Sequence, residues 1–371
     1  MKPLFIGLIS GTSIDCIDAA LIDGSTEKPV LLAHHQHPID PATKQAIAAL
    51  CLPGDNEIDR MGNMDIKLGG LFADATNALL DKAKLTHHDI VAIGSHGQTI
   101  RHRPPKQSNA AGFTLQIGDA NTIAEKTHIT TVADFRRRYM AAGGQGAPFA
   151  PAFHQAIAPQ DCETSAFLNL GGIANITTVH QGKIVSGFDT GPANGLMDAW
   201  ILKQNNVAFD NNGEWARSGN VNTALLEQLK SHPYFDLPAP KSTGREEFHL
   251  PWLETILANG YKAILKEDVQ ATLLRLSSET IADAITQQAT MPSVVYCCGG
   301  GAHNTMLLED LQAILSDTKI TTTKELGIAP DWVEACAFAW LAQQRLEEKT
   351  ILLSDVTGAA NNRIAGCIYA S

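Results

Sequence analysis

Apolar residues at positions 4–8 give way to a short polar turn, Ser10-Gly11-Thr12-Ser13, and a second alternating apolar run follows over 17–22. This pattern predicts a β-hairpin over 5–23 whose turn carries almost no side-chain bulk. The same grammar returns over 167–179: an apolar strand, a turn at Gly171-Gly172, then an alternating strand. Two such hairpins about 160 residues apart predict two similar domains. After the first hairpin the pattern predicts a strand over 30–33 and a helix over 42–50. A long helix follows from 56 to 84, with Ile58, Met61, Leu68, Phe72, Ala75 and Leu79 on one face. Strands are expected over 90–94, 113–117 and 129–132, with a helix over 121–126. In the second half the pattern predicts helices over 195–203, 268–288, 305–315 and 330–346 and a strand over 294–298. Residues 205–252, rich in Asn, Gly and Pro, read as an insertion. The glycine-rich stretch 141–148 reads as a hinge. The expected lobes are 1–138 with 350–371, the tail returning to the first domain, and 139–349.

Composition narrows the class. The chain has 371 residues, long for one core and comfortable for two. At 44% hydrophobic and 18% charged it is globular. A net charge of −11 argues against a nucleic-acid partner. No apolar run approaches a membrane span, and the N-terminus makes a poor signal peptide, so no membrane role and a cytoplasmic setting are expected. The seven cysteines show no regular spacing, which points to reduced thiols.

The turn after the first strand suits an anion, because small residues let backbone N–H groups and hydroxyls come close. Asp15 can stand beside phosphates only with a cation such as Mg²⁺ between. A polar turn without ligand is the plainer alternative. The residues Ser95 to Thr99 follow a buried strand, at the end where α/β folds place ligands. Lys241-Ser242-Thr243-Gly244-Arg245 lacks the glycines of a phosphate-binding P-loop, and no GxGxxG follows the first strand, which disfavours a nicotinamide enzyme.

Taken together, GLISGTSIDCID, IGSHGQTIRH, ADFRRRYMAAGGQGAPFAPAFH, LNLGGIANIT, GFDTGPANGLMDAW, PKSTGREEF and CCGGGAHN make the chain resemble the anhydro-N-acetylmuramic acid kinase family from end to end. The resemblance implies an α/β, two-domain actin-like ATPase (ribonuclease H-like) fold with a cleft between the lobes. It implies an enzyme that uses ATP, with Mg²⁺, and water to open the 1,6-anhydro bridge of the sugar and phosphorylate O6, and a homodimer. It places the catalytic base at Asp189, sugar contacts at Thr99, Arg137 and Glu334, and the β,γ-phosphates and metal at Gly11, Thr12, Ser13 and Asp15. The ATP-binding stretch continues through Ile14, Cys16, Ile17 and Asp18. Gly171 and Gly172 form the opposing hairpin, and Gly299, Gly300 and Gly301 admit the adenosine.

Read alone, each of these residues has a plainer role. Asp189 before Gly191-Pro192 could cap a turn, Arg137 could be a solvated charge, the glycine triplet a strand-to-helix turn. Glu334 stands three residues after Asp331, which is also capping-box spacing. Two positions depart from the family: relatives usually carry Gly at Cys16 and Asp at Tyr139. Two alternatives stand, a kinase for another sugar on the same scaffold and a nucleotide-binding regulatory module, the second kept open by these departures.

Overall fold

The computed structural model describes residues 2–11, 13–104, 112–244 and 246–371. The chain divides into two compact units, Met1–Ile157 with Trp332–Ser371, and Ala158–Asp331.

In the first unit β1 (Leu4–Ser10), β2 (Cys16–Asp23) and β3 (Val30–Pro38) form an antiparallel meander. The first hairpin is in register from Leu4 opposite Asp23 to Ser10 opposite Ile17. β4 (Ile90–Arg103) pairs parallel with β1, β5 (Phe113–Ile117) folds back antiparallel on β4, and β6 (Thr131–Ala133) runs parallel to β4. The second unit repeats the plan. β7 (Thr164–Leu170), β8 (Ile173–His180) and β9 (Lys183–Pro192) form the meander; β10 (Val294–Cys298) runs parallel to β7, and β11 (Lys319–Thr322) parallel to β10. Finally β12 (Cys367–Tyr369) adds antiparallel to β6, so the tail joins the sheet of the first unit. The orders β3-β2-β1-β4-β6 and β9-β8-β7-β10-β11 are the same order. This duplicated ribonuclease H-like arrangement is the actin-like ATPase fold that the resemblance implies. Its inner parallel strands, β1 and β10, are buried along their whole length, which is why they read as unbroken apolar runs.

The helix Val333–Leu346 packs on the first sheet. Val333, Ala335, Cys336, Ala337, Phe338, Ala339, Leu341 and Ala342 are all buried, so it is covered nearly all round. Close approach depends on two strand glycines. A Cβ on Gly7 would lie 1.8 Å from the Ala335 carbonyl oxygen, and one on Gly94 2.0 Å from that of Phe338.

Four expectations need correction. Residues 95–103 continue β4 instead of following it: Ser95, His96 and Gln98 are buried polar residues, and Ser10 Oγ donates to Gln98 Oε1 at 2.6 Å. The glycine-rich stretch 141–148 is packed inside the first unit, where the Gln145 N–H donates to the Thr357 carbonyl at 2.7 Å. The units therefore change over at 157/158 and 331/332 instead of at 138/139 and 349/350. Tyr139 accounts for part of this: its ring is fully buried against Phe149, and its hydroxyl donates to the Ile351 carbonyl at 2.6 Å. Lastly, residues 205–252 are no mere insertion, since Ala216, Leu225, Leu229, Tyr234 and Phe248 belong to the core of the second unit.

Candidate functional site

The β1–β2 turn is built as its sequence suggests. A Cβ on Gly11 would meet nothing within 4 Å, so the turn faces open space. The Ile14 N–H closes it on the Gly11 carbonyl at 3.2 Å. Ile14 itself has φ 56°, a left-handed conformation that a β-branched residue adopts only under constraint. Thr12 lies outside the described residues. Ser13 and Asp15 are exposed, whereas Ile17 is fully buried and offers the turn only its backbone. The Asp15 carboxylate pairs with Lys44 of the helix Pro41–Leu50. Asp18 accepts from Gln36 Nε2 at 3.1 Å, and from the Cys16 thiol at 3.5 Å. Burial first, then the charges of Asp18 and Asp15, pushes that thiol up to about 12, so Cys16 stays protonated.

Further along the first unit, Thr99 accepts from Gln116 Nε2 at 3.1 Å. A cavity of about 140 Å³ lies there, lined by Ser95, His96, Gln116, Asp134 and Arg137 among others. The buried Ser95 hydroxyl has no partner among the described residues. Arg137 is exposed and held loosely, 3.4 Å from Asp134. Its neighbour Arg136 is the one turned inward. Arg136 Nε donates to His96 Nε2 at 3.0 Å, and His96 Nδ1 lies 3.1 Å from the Gly97 carbonyl. His96 is therefore the neutral Nδ1–H tautomer, and burial with the Arg136 charge holds its pKa well below the usual histidine value. Desolvation lowers the Arg136 pKa to about 10, and the nearby Glu334 charge opposes that shift. Glu334 stands in the first turn of Val333–Leu346. Part of its side chain reaches solvent, yet protein crowded around the carboxyl raises its pKa. Arg136 pulls it back and Asp18 adds to the rise. Asp18, Arg136, His96 and Glu334 thus form one electrostatic group.

In the second unit Asp189 lies within β9, opposite Asn175, three residues before the strand ends. It is clamped by the segment after Tyr234. Its Oδ2 accepts from Ser242 Oγ at 2.9 Å and from the Thr243 N–H at 3.1 Å. Its backbone N–H donates to the Lys241 carbonyl at 3.0 Å, and its carbonyl accepts from the Tyr234 hydroxyl at 2.5 Å. Burial raises the Asp189 pKa, and the Thr243 and Ser242 bonds hold the rise in check. Lys241 is turned back over the Tyr234 ring, 4.7 Å from its centre. This clamp is the part of the site that the sequence pattern did not reveal.

The β7–β8 turn at Gly171 and Gly172 is sealed by the start of the helix Asn194–Asn205. Their carbonyls accept from the N–H groups of Ala193, Asn194 and Gly195 at 3.0–3.1 Å. Gly299, at φ +77°, and Gly301 are pressed on β7: a Cβ would lie 2.4 Å from Asn169 Oδ1 in the first case and 2.7 Å from Leu170 Cβ in the second. Gly300 faces open space. It borders a cavity of about 530 Å³ whose lining includes Asn194, Phe209, Asp210, Gly301, His303 and Asn304. The glycine triplet is therefore both a strand-to-helix turn and one wall of a pocket roomy enough for a nucleoside.

The family model for anhydro-N-acetylmuramic acid kinase matches residues 3–371. A protein of that name from Saccharophagus degradans is 48% identical over 370 residues, covering all of both chains. One from Shewanella sp. (strain MR-4) is 49% identical over 366 residues, 98% of each chain. One from Coxiella burnetii is 49% identical over 370 residues, 99% of this chain and 98% of that one. With a match over the whole length, the chain belongs to the anhydro-N-acetylmuramic acid kinase family and is an enzyme of that class.

Proposed function

We propose that this chain opens the 1,6-anhydro bridge of anhydro-N-acetylmuramic acid with water and phosphorylates the freed O6 with ATP, giving N-acetylmuramic acid 6-phosphate in cytoplasmic cell-wall recycling. The observation that supports it most is the Asp189 carboxylate, fixed by one oxygen on Ser242 and Thr243 while Oδ1 has no protein partner among the described residues. A carboxylate held this way is aimed, and aim matters more than basicity for a general base.

In this reading Asp189 Oδ1 takes a proton from water as the water oxygen bonds to the anomeric carbon. The bond from that carbon to O6 breaks, O6 bonds to the γ-phosphorus, and ADP leaves. Sugar, water and ATP thus become the 6-phosphate, ADP and the proton held by Asp189. Arg137, Thr99 and Glu334 hold the sugar beside the small cavity of the first unit. The turn from Gly11 to Asp18 and the Gly171-Gly172 hairpin take the phosphates, and the pocket beside Gly299–Gly301 takes the adenosine. Arg136, kept charged near Glu334, favours the charged form of that carboxylate.

Asp15 would hold Mg²⁺. Its exposed carboxylate already pairs with a cationic side chain, Lys44, so the position favours positive charge. Mg²⁺ is commonly held by one or two carboxylates plus substrate phosphates, so a full cage of protein ligands is not required. When bound, the ion neutralises charge that develops on the phosphates. A homodimer and a cytoplasmic location complete the proposal; no helix among the described residues is long and apolar enough to cross a membrane.

Purified protein with ATP, Mg²⁺ and anhydro-N-acetylmuramic acid should yield a sugar heavier by one water and one phosphoryl group. Excess chelator should abolish turnover, and full activity in chelator would remove the metal from the scheme. A product without added phosphoryl would reject the reading.

Ser242→Ala gives a separate test. It deletes a bond that lowers the Asp189 pKa, so that pKa rises further. The acid limb of the kcat/KM profile should then move to higher pH, with the rate at low pH falling most. An unmoved limb would argue that Ser242 does not act on the base.

A further inference from the structure

Beside Gly300 and Gly301, His303 lines the 530 Å³ pocket with an arrangement that packing alone does not need. Its Nε2 lies 2.9 Å from Asp331 Oδ1 and 2.8 Å from Oδ2. Both side chains are exposed, at 61% and 44%, and an exposed pair of this kind contributes little to stability. What the pair does is fix the ring. Facing a carboxylate, a neutral imidazole carries its proton on Nε2, and its Nδ1 is left as an acceptor. Among the described residues Nδ1 has no partner.

Two of the acceptors that line the pocket are already committed. Asp210 accepts from the N–H groups of Trp215 and Ala216, both at 2.9 Å, and Asn304 Oδ1 accepts from the Leu307 N–H at 3.1 Å. The segment carrying His303 is also anchored, since the Gly299 N–H donates to the Pro330 carbonyl, next to Asp331, at 3.1 Å.

We propose that His303, oriented by Asp331, is a nucleoside-recognising residue whose Nδ1 accepts a hydrogen bond from a donor on the nucleotide, a ribose hydroxyl or the exocyclic amino group of adenine. The proposal rests on the pocket being the adenosine site of the kinase reading. Asp331 is then a positioning residue, acting through His303.

Titration calorimetry without sugar tests it. The probes are ATP, its 2′-deoxy and 3′-deoxy forms, and purine riboside triphosphate, which lacks the amino group. For the wild type, the analogue missing the recognised donor should bind about three- to tenfold more weakly than ATP, the worth of one hydrogen bond. In His303→Ala that penalty should vanish while the penalties of the other analogues persist. His303→Gln, which keeps an acceptor, should restore part of it. Asp331→Asn should weaken ATP binding by a similar factor, because an amide no longer fixes the tautomer. A purely structural role would lower the melting temperature and weaken all four nucleotides alike, leaving their ratios unchanged, and that result would overturn the proposal. So would a wild type that binds ATP and all three analogues equally. A wild type that binds no ATP would instead overturn the kinase reading itself.

Discussion

Asp189→Asn is expected to lower product formation by about 10²–10⁴-fold, the usual cost of losing a general base, while the protein stays folded and binds nucleotide and sugar nearly as before. The amide has almost the shape of the carboxylate. Its oxygen can still accept from Ser242 Oγ and the Thr243 N–H, and the backbone bonds to Lys241 and Tyr234 do not involve the side chain. What is lost is the capacity of Oδ1 to take a proton. The loss should exceed that range if activation of one water drives both bridge opening and phosphoryl transfer. Were Asp189 only the clamp of its own strand, the variant would show a lower melting temperature and a normal kcat. Measuring both on one purified sample separates the cases, and a normal kcat would send the search for the base to Glu334.

Gly7→Ala should cost more stability than any surface change, about 3 kcal/mol or more, at the upper end for overpacking. The new Cβ would stand 1.8 Å from the Ala335 carbonyl oxygen and 2.5 Å from the Ala339 nitrogen. Both are backbone atoms of a covered helix, so no side chain can swing aside; the helix itself must move. Glu334 rides on that helix, so the surviving enzyme should also show a higher KM for the sugar. Gly62→Ala is the control. Gly62 is an exposed helix position where a Cβ meets nothing within 4 Å, and alanine there should be neutral or stabilising by up to about 1 kcal/mol. Urea unfolding of the three proteins gives the comparison. If Gly7→Ala tracked Gly62→Ala, the close packing of β1 on the helix would be wrong.

Much of the fold was legible because its parts have strong periods. Both hairpins, the parallel strand of Val294–Cys298 and the helix Glu57–Ala83 stand within a few residues of where the hydrophobic pattern puts them. Polarity in buried places accounts for part of what was missed. The strand was expected to end at 94 because a continuation that buries Ser95, His96 and Gln98 has no apolar alternation to read. The helix Lys266–Thr286, expected over 268–288, buries more than one face. Thr272, Ser277 and Ser278 hide their hydroxyls on carbonyls four residues back, so small polar residues can be interior. Glycines at 143, 144 and 146 suggested a hinge, yet Gly144 is pressed on Ala359, a contact across more than half the chain.

The site divides in the same way. Compact motifs offer candidate residues to a reader of the sequence, whereas the side chains that hold those candidates in place come from distant segments. Ser242 and Thr243 reach Asp189 across some fifty residues, and their segment drew attention as a failed P-loop and as the motif PKSTGREEF, neither of which shows what it touches. Arg136 and Arg137 are indistinguishable in a run of three arginines. Only the helix Phe135–Ala141 decides that Arg136 meets His96 while Arg137 reaches the Ser95–Gln116 cavity. The departure at Tyr139 has a structural explanation, since its ring fills the core and its hydroxyl holds the returning tail. The departure at Cys16 leaves a protonated thiol against Asp18.

Coupling of water addition at the anomeric carbon to phosphorylation at O6 can be followed through a single turnover in ¹⁸O-labelled water. Excess enzyme would be mixed with ATP, Mg²⁺ and anhydro-N-acetylmuramic acid, quenched early, and the products weighed by fragment. One heavy oxygen is expected on the anomeric carbon of the sugar 6-phosphate and none in its phosphoryl group. Heavy inorganic phosphate with unchanged sugar, or a phosphorylated sugar that has gained no water, would contradict it.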